Sequence, residues 1–171
     1  MCDAVAITSW IKNEYAFRQW CADRYDHYPL TPMDVNAYYH ADENNDRVWG
    51  MTAFDETGVI GHLTMRFPNE DKKEIRLGFI IIDDTKRSQG YGKDMLKLAI
   101  RYAFDCIKVD IVSLGVFENN ISARKCYESV GFKPVINDIP EQYQCLGELW
   151  TCIDMQVTRS WAETAGMCAC L

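Results

Sequence analysis

The stretch Arg87-Ser88-Gln89-Gly90-Tyr91-Gly92-Lys93 is the one best equipped for chemistry. Two glycines stand one residue apart where a loop opens a helix, and neither puts a Cβ in the way of a ligand. The first N–H groups of a helix have no partner inside it, so they point outward and favour an anion. Lys86, Arg87 and Lys93 add positive charge at the same place. The apolar run Ile80-Ile81-Ile82 precedes the loop, and Leu96, Ala99, Ile100, Ala103 and Ile107 follow it at the helical period. Together these make a diphosphate cradle. The dinucleotide fingerprint G-x-G-x-x-G fails, because Gly90-Tyr91-Gly92-Lys93-Asp94-Met95 ends in Met. A Walker A loop fails at both Arg87 and Asp94.

What remains, Arg87-Ser88-Gln89-Gly90-Tyr91-Gly92, resembles the [RQ]-x-x-G-x-[GA] loop of the GNAT superfamily of acetyl-CoA-dependent N-acetyltransferases. A second stretch, Val116 to Phe132, is similar to that family's next segment, V-x-x-x-N-x-x-A-x-x-x-Y-x-x-x-G-F. Val116, Asn120, Ala123, Tyr127, Gly131 and Phe132 fill every fixed position. A helix and a strand separate the two stretches, as that fold requires. The resemblance runs from about Val48 to Phe132 and thins on both sides.

The resemblance implies a mixed α/β (α+β) fold, with a centrally splayed sheet of about seven strands and about four flanking helices. It implies acetyl-CoA as co-substrate and direct attack of an amine on the thioester. Pantetheine would pair with the backbone of Ile80 and Ile82, where the splayed strand leaves N–H and C=O groups without partners. The pyrophosphate would take amides from Gln89 to Lys93, with Arg87 and Ser88 in the same loop. Asn120 and Ala123 would lie beside the pantetheine, though Asn120 also fits as the N-cap of the helix at Ile121. Tyr127 matches the family's proton donor to the departing thiolate. A thiol of pKa about 8.5 leaves poorly unless it is protonated. The base is less well marked. Glu74 is its best-placed candidate, yet the best-known family pattern puts the glutamate where this chain has Arg76. Glu148, His62 and a water chain are alternates. A non-catalytic acyl-CoA-binding or sensing module on the same fold is the competing reading.

The elements that must position these residues can be read from periodicity. Ala4 to Ser9 reads as a strand, and Ile11 to Ala22 and Pro32 to His40 as helices, the second capped by Thr31 with Pro32 at N1. Their aromatics, Trp10, Tyr15, Phe17, Trp20, Tyr25, Tyr28, Tyr38 and Tyr39, serve either as helix core or as walls of an acceptor pocket. Arg47–Phe54 and Val59–Phe67 form a hairpin across Asp55-Glu56-Thr57-Gly58, and Glu74–Ile82 follows in antiparallel order. A helix then crosses over to a parallel strand, Val109–Val116. Ile121 to Val130 is a helix stopped at Gly131. Lys133–Ile136 and Glu148–Thr158 are the last strands, joined by a loop around Asp138-Ile139-Pro140-Glu141.

A chain of 171 residues without repeats or linker composition reads as a single domain, 1–171. No apolar run approaches the roughly 18 residues that span a bilayer, and Met1-Cys2-Asp3 opens no secretion signal. Eight scattered cysteines, several inside helical patterns, read as reduced thiols of a cytoplasmic protein. No ligand set marks a metal. A net charge of −7 argues against a nucleic-acid groove and mildly favours a cationic amine, from a small molecule or a peptide. No membrane partner is expected, and a homodimer is allowed. The tail Cys168-Ala169-Cys170-Leu171 reads as frayed, against nominal prenylation or soft-metal motifs.

Overall fold

The computed structural model describes residues 3–167. Helices α1 (Asp3–Trp10), α2 (Glu14–Cys21) and α3 (Pro32–Ala41) come first, then strands β1 (Val48–Asp55), β2 (Gly58–Arg66) and β3 (Glu74–Ile82). Helix α4 (Tyr91–Arg101) leads to β4 (Ile111–Phe117) and α5 (Ile121–Ser129). Strands β5 (Lys133–Pro134), β6 (Glu141–Cys145) and β7 (Glu148–Thr158) and helix α6 (Arg159–Thr164) close the chain. The sheet has seven strands in the order β1-β2-β3-β4-β7-β5, with β6 also on β7. The β1–β2–β3 meander is antiparallel and β3–β4 is parallel, so the sheet is mixed as expected.

Two elements differ from the sequence expectation. Ala4–Ser9 is helical, not a strand; Ala4, Ile7 and Trp10 recur every third residue and all three are buried. The segment around Glu141, expected as a loop, includes β6, which turns into β7 through Leu146 and Gly147, both at positive φ. Two-residue hairpins want that twist, but Leu-Gly is not a pair that announces it. The expected long helix does reach Ile107, yet its last turns, Tyr102–Ile107, are π-helical. Helix α6 lies in a stretch that shows no pattern in the sequence. The C-terminal motif at Cys168–Leu171 lies outside the described residues.

Alternation along the strands gives the sheet one apolar and one polar face. Leu63, Met65, Ile75, Leu77, Val112, Leu114, Met155 and Val157 pack under α4 and α5 with Leu96, Ile100 and Phe104. The opposite face presents Thr64, Arg66, Glu74, Arg76, Ser113 and Asp154. Helices α1–α3 cover only its far end, over Ile81, Phe79 and His62.

Strands β3 and β4 pair from Glu74↔Ile111 to Leu77↔Leu114 and then part. On the other edge the β2–β3 register shifts between His62 and Thr64, and Phe79 stands there at φ 47. An extra residue in one strand bends it and breaks the ladder. The bulge therefore turns Gly78–Ile82 away from β4.

Candidate active site

The gap between β3 and β4 opens into a cleft of about 750 Å³. Every residue expected at the cofactor lines it except Gln89 and Tyr91: Ile80, Ile82, Arg87, Ser88, Gly90, Gly92, Lys93, Asn120, Ala123 and Tyr127. Gln89 turns its amide back onto the Thr85 carbonyl at 3.0 Å. Tyr91 lies beneath the Lys86 ammonium, 5.2 Å from its ring. Lys86 itself is not part of the cradle. It is drawn to the β1–β2 hairpin, 2.6 Å from the Asp55 carboxylate, and that hydrogen bond holds the Asp55 carboxyl well below its usual range.

Helix α4 begins at Gly90, φ 97, with no side chain capping it. A Cβ at Gly90 would meet nothing within 4 Å, so the space before the helix end is open. The Lys93 amide already bonds the Gly90 carbonyl at 2.9 Å, which leaves the amides before it to a ligand.

Helix α5 supplies the other wall. Asn120 caps it, its Oδ1 accepting from the Ala123 amide at 3.3 Å. The helix stops where Phe132 N–H reaches back to the Tyr127 carbonyl and Gly131 N–H to that of Glu128, both at 3.1 Å. This double closure fixes the last turn and seats the Tyr127 ring 6.2 Å from Phe132. Tyr127 is 8% exposed, and its hydroxyl makes no hydrogen bond among the described residues. Burial, and then the neighbouring Cys126, push its pKa above the usual phenol value. It stays protonated throughout the neutral range.

The three candidate bases are not in the cleft. Glu74 stands in the paired part of β3, where its carboxylate accepts from the Ser113 hydroxyl. At about 3.3 Å per residue it lies roughly 20 Å along the strand from Ile80. It is not at the start of the splay, because four residue pairs hold β3 to β4 before the strands part. Glu148 sits at the β6–β7 turn and accepts from Trp150 Nε1 at 3.0 Å. His62 is 4% exposed, held by the Tyr39 hydroxyl at 2.7 Å, and burial lowers its pKa to about 4. It lines a separate cavity between α3 and the β1–β2 hairpin. Among the described residues no Asp, Glu or His lines the main cleft.

The N-terminal aromatics divide between the two roles open to them. Phe17 and Tyr25 are buried core, whereas Trp10 and Trp20 line the cleft with Phe79, whose ring lies 5.1 Å from Trp20. Phe79 and Gly115 are site residues that the sequence reading missed. One sits at a bulge with no residue-type signal, and the other is a strand glycine seen only once the strands are aligned.

The model of the acetyltransferase (GNAT) family matches residues 10–132. The chain belongs to this family. Spermine/spermidine N(1)-acetyltransferase of Bacillus subtilis (strain 168) is 37% identical over 67 residues, 38% of this chain and 44% of that one. Acetyltransferase PseH of Campylobacter jejuni is 31% identical over 93 residues, 54% and 56% of the two chains. The chain thus matches only about half the length of these relatives. The crystal structure of Vibrio cholerae spermidine N-acetyltransferase in complex with CoA and spermine superposes with a TM-score of 0.77 at 18% identity, over 93% of this chain and 91% of that one. At that identity the likeness establishes the GNAT fold.

Proposed function

We propose that the protein is an N-acetyltransferase that passes the acetyl group of acetyl-CoA to a primary amine held in the same complex. One observation carries the reading. A splayed strand edge, a helix N-terminus without a side-chain cap and a buried, protonated tyrosine meet in a single cleft. In this reading pantetheine pairs with the free backbone edge of Gly78–Ile82, and the pyrophosphate takes the amides before Lys93, with Arg87 and Lys93 beside it. The amine nitrogen attacks the thioester carbon, the carbon–sulfur bond breaks, and Tyr127 gives its proton to the departing thiolate. The amine's own proton goes to solvent, since among the described residues no Asp, Glu or His lines the cleft. Asn120 keeps its side-chain amide for the pantetheine while its oxygen caps α5. The five described cysteines are free thiols, in keeping with a cytoplasmic protein.

The same want of a base supports a second reading, an acyl-CoA sensor without turnover. Incubation with acetyl-CoA and a panel of amines separates the two. Release of free thiol that depends on the amine is expected, and CoA protection without thiol release from any amine would favour the sensor. CoA should also raise the melting temperature well above the shifts produced by NAD or ATP. Equal shifts from all three would mean a generic anion site.

A further inference from the structure

The polar face of the sheet holds an arrangement that acyl-CoA binding does not use. Arg66 on β2 and Arg76 on β3 are direct cross-strand partners on that face. Like charges directly opposite each other destabilise a sheet. Among the described residues no carboxylate comes within ion-pair distance of Arg66. Partial loss of solvent, then the nearby Arg76 and Arg24, hold the Arg66 guanidinium below its ordinary range. Two carboxylates share the face, and both are engaged. Asp154 accepts from Arg76 Nη2 at 2.6 Å and from Asn137 at 2.8 Å, and Glu74 accepts from Ser113.

Both arginines connect to the cleft. Gly115 lines its wall, and a Cβ there would stand 2.9 Å from Arg76 Nη2, so the missing side chain lets the guanidinium lie against that wall as it crosses β4 to Asp154. On the other flank Arg66 stands two residues along β2 from Thr64, the cross-strand partner of the cleft residue Gly78, and near Tyr38, whose ring packs 5.2 Å from the cleft residue Phe79. The arginine pair, with Asp154 on Arg76 and Glu74 near Arg66, thus borders the end of the cleft opposite the cradle.

We propose that Arg66 and Arg76 receive an anionic group carried by the acceptor, which is therefore an amine that also bears a carboxylate or a phosphate ester. The proposal rests on the acyl-transfer reading above. Guanidinium groups hold both anions through paired N–H donors. An extended polycation would meet the Arg66 guanidinium, which has no ion-pair partner among the described residues, at the same place, so the chain's overall negative charge is a poor guide to its acceptor.

The test uses the full-length protein with acetyl-CoA and thiol detection. Its acceptors are a free α-amino acid series, the matching amino acid amides, amino-sugar phosphates with the unphosphorylated sugars, and spermidine. A carboxylate-bearing or phosphate-bearing amine should exceed its uncharged match at least tenfold in kcat/KM and should exceed spermidine. The two pairs tell carboxylate from phosphate. Arg66→Gln should cut that preference about tenfold through KM with kcat largely retained, and Arg66→Glu should reverse it. Arg76→Lys, which keeps the charge beside Asp154, should cause a smaller loss. Preference for spermidine or the uncharged amines, or a preference unmoved by Arg66→Gln, would overturn the proposal. If no amine releases thiol although CoA binds, acyl transfer fails separately. The arginine pair is then judged by calorimetry of the same anionic amines on the CoA-loaded protein. Binding lost in Arg66→Gln sustains it, and absence of binding to the wild type overturns it.

Discussion

The two ends of the cleft are built from different materials. In the proposed reading the ligand-facing groups at the cradle end are backbone: the amides before Lys93, the free edge of β3, and the turn at Gly90. At the other end they are side chains: Trp20 of α2 and Phe79 of β3 line the wall, Tyr38 of α3 packs on Phe79, and the proposed anion seat, Arg66 and Arg76, lies on the sheet face beyond them. A backbone site constrains its own sequence, since it needs glycine where a side chain would block and a helix where amides must converge. A side-chain site constrains only what protrudes, and the same frame can present other residues there.

The sharpest way to break this contrast is to alter the backbone end. Gly90→Glu puts a side chain and a negative charge into open space before α4, at a φ of 97 that side-chain-bearing residues resist. Losing two charge-assisted bonds at about 1.5–3 kcal/mol each predicts CoA affinity reduced about 100-fold or more. Calorimetry giving an affinity within about twofold of wild type would show that the cradle is misplaced.

Next in size is Tyr127→Phe. In the proposed mechanism the hydroxyl acts only as the thiolate departs, so kcat and kcat/KM should fall together by about 10- to 1000-fold, with CoA binding unchanged. The ring keeps its place against Phe132. A merely structural tyrosine makes the opposite forecast, a lower melting temperature with turnover intact. Measuring both on one variant decides it.

How much could be read from the sequence follows the same division. The strands and helices from Val48 to Phe132 were legible because alternation, the helical period and two glycine-marked turns all agree there. So was the meeting of Tyr127 with Arg87, Ser88, Gly90, Gly92 and Lys93 along one cleft, since all sit at fixed spacings from those glycines. The N-terminal helix reads as a strand because Ala4, Ile7 and Trp10 are too few to fix a period, and β6 hides behind an unusual turn. Glu74 is marked only by its place on a strand, but where β3 and β4 part depends on pairing and on the bulge at Phe79, which no local pattern encodes. Arg66 and Arg76 lie ten positions apart and meet only through the strand register.

His62 sharpens the comparison from the helix-covered part of the polar face, where charge is excluded rather than gathered. Its folded pKa of about 4 lies below the unfolded value of about 6.5, so acid favours the unfolded chain. The His62 contribution is complete above about pH 6.5 and is lost as pH falls toward 4, amounting to about 3 kcal/mol. Denaturant titrations at pH 7 and pH 4.5 should show His62→Gln losing less stability between the two than wild type, by about 2–3 kcal/mol. Equal losses would mean that this histidine is not held neutral by the fold.

The smallest effect is expected at Glu74, and its sign carries the information. A general base in acyl transfer contributes about 100- to 10,000-fold, so Glu74→Gln would nearly silence an enzyme that depended on it. The structure places that carboxylate on Ser113, in the paired part of β3 and outside the cleft. Glutamine still accepts from the Ser113 hydroxyl, so stability should fall by no more than about 1 kcal/mol. What the substitution does remove is a negative charge close to Arg66. Partly screened charges interact by about 1 kcal/mol or less, so KM for an anionic acceptor should drop by roughly two- to threefold while kcat stays within about twofold. KM for an uncharged amine should not move. A fall in kcat of about 100-fold would restore Glu74 as the base, and an increase in KM for the anionic acceptor would count against the arginine pair as its seat.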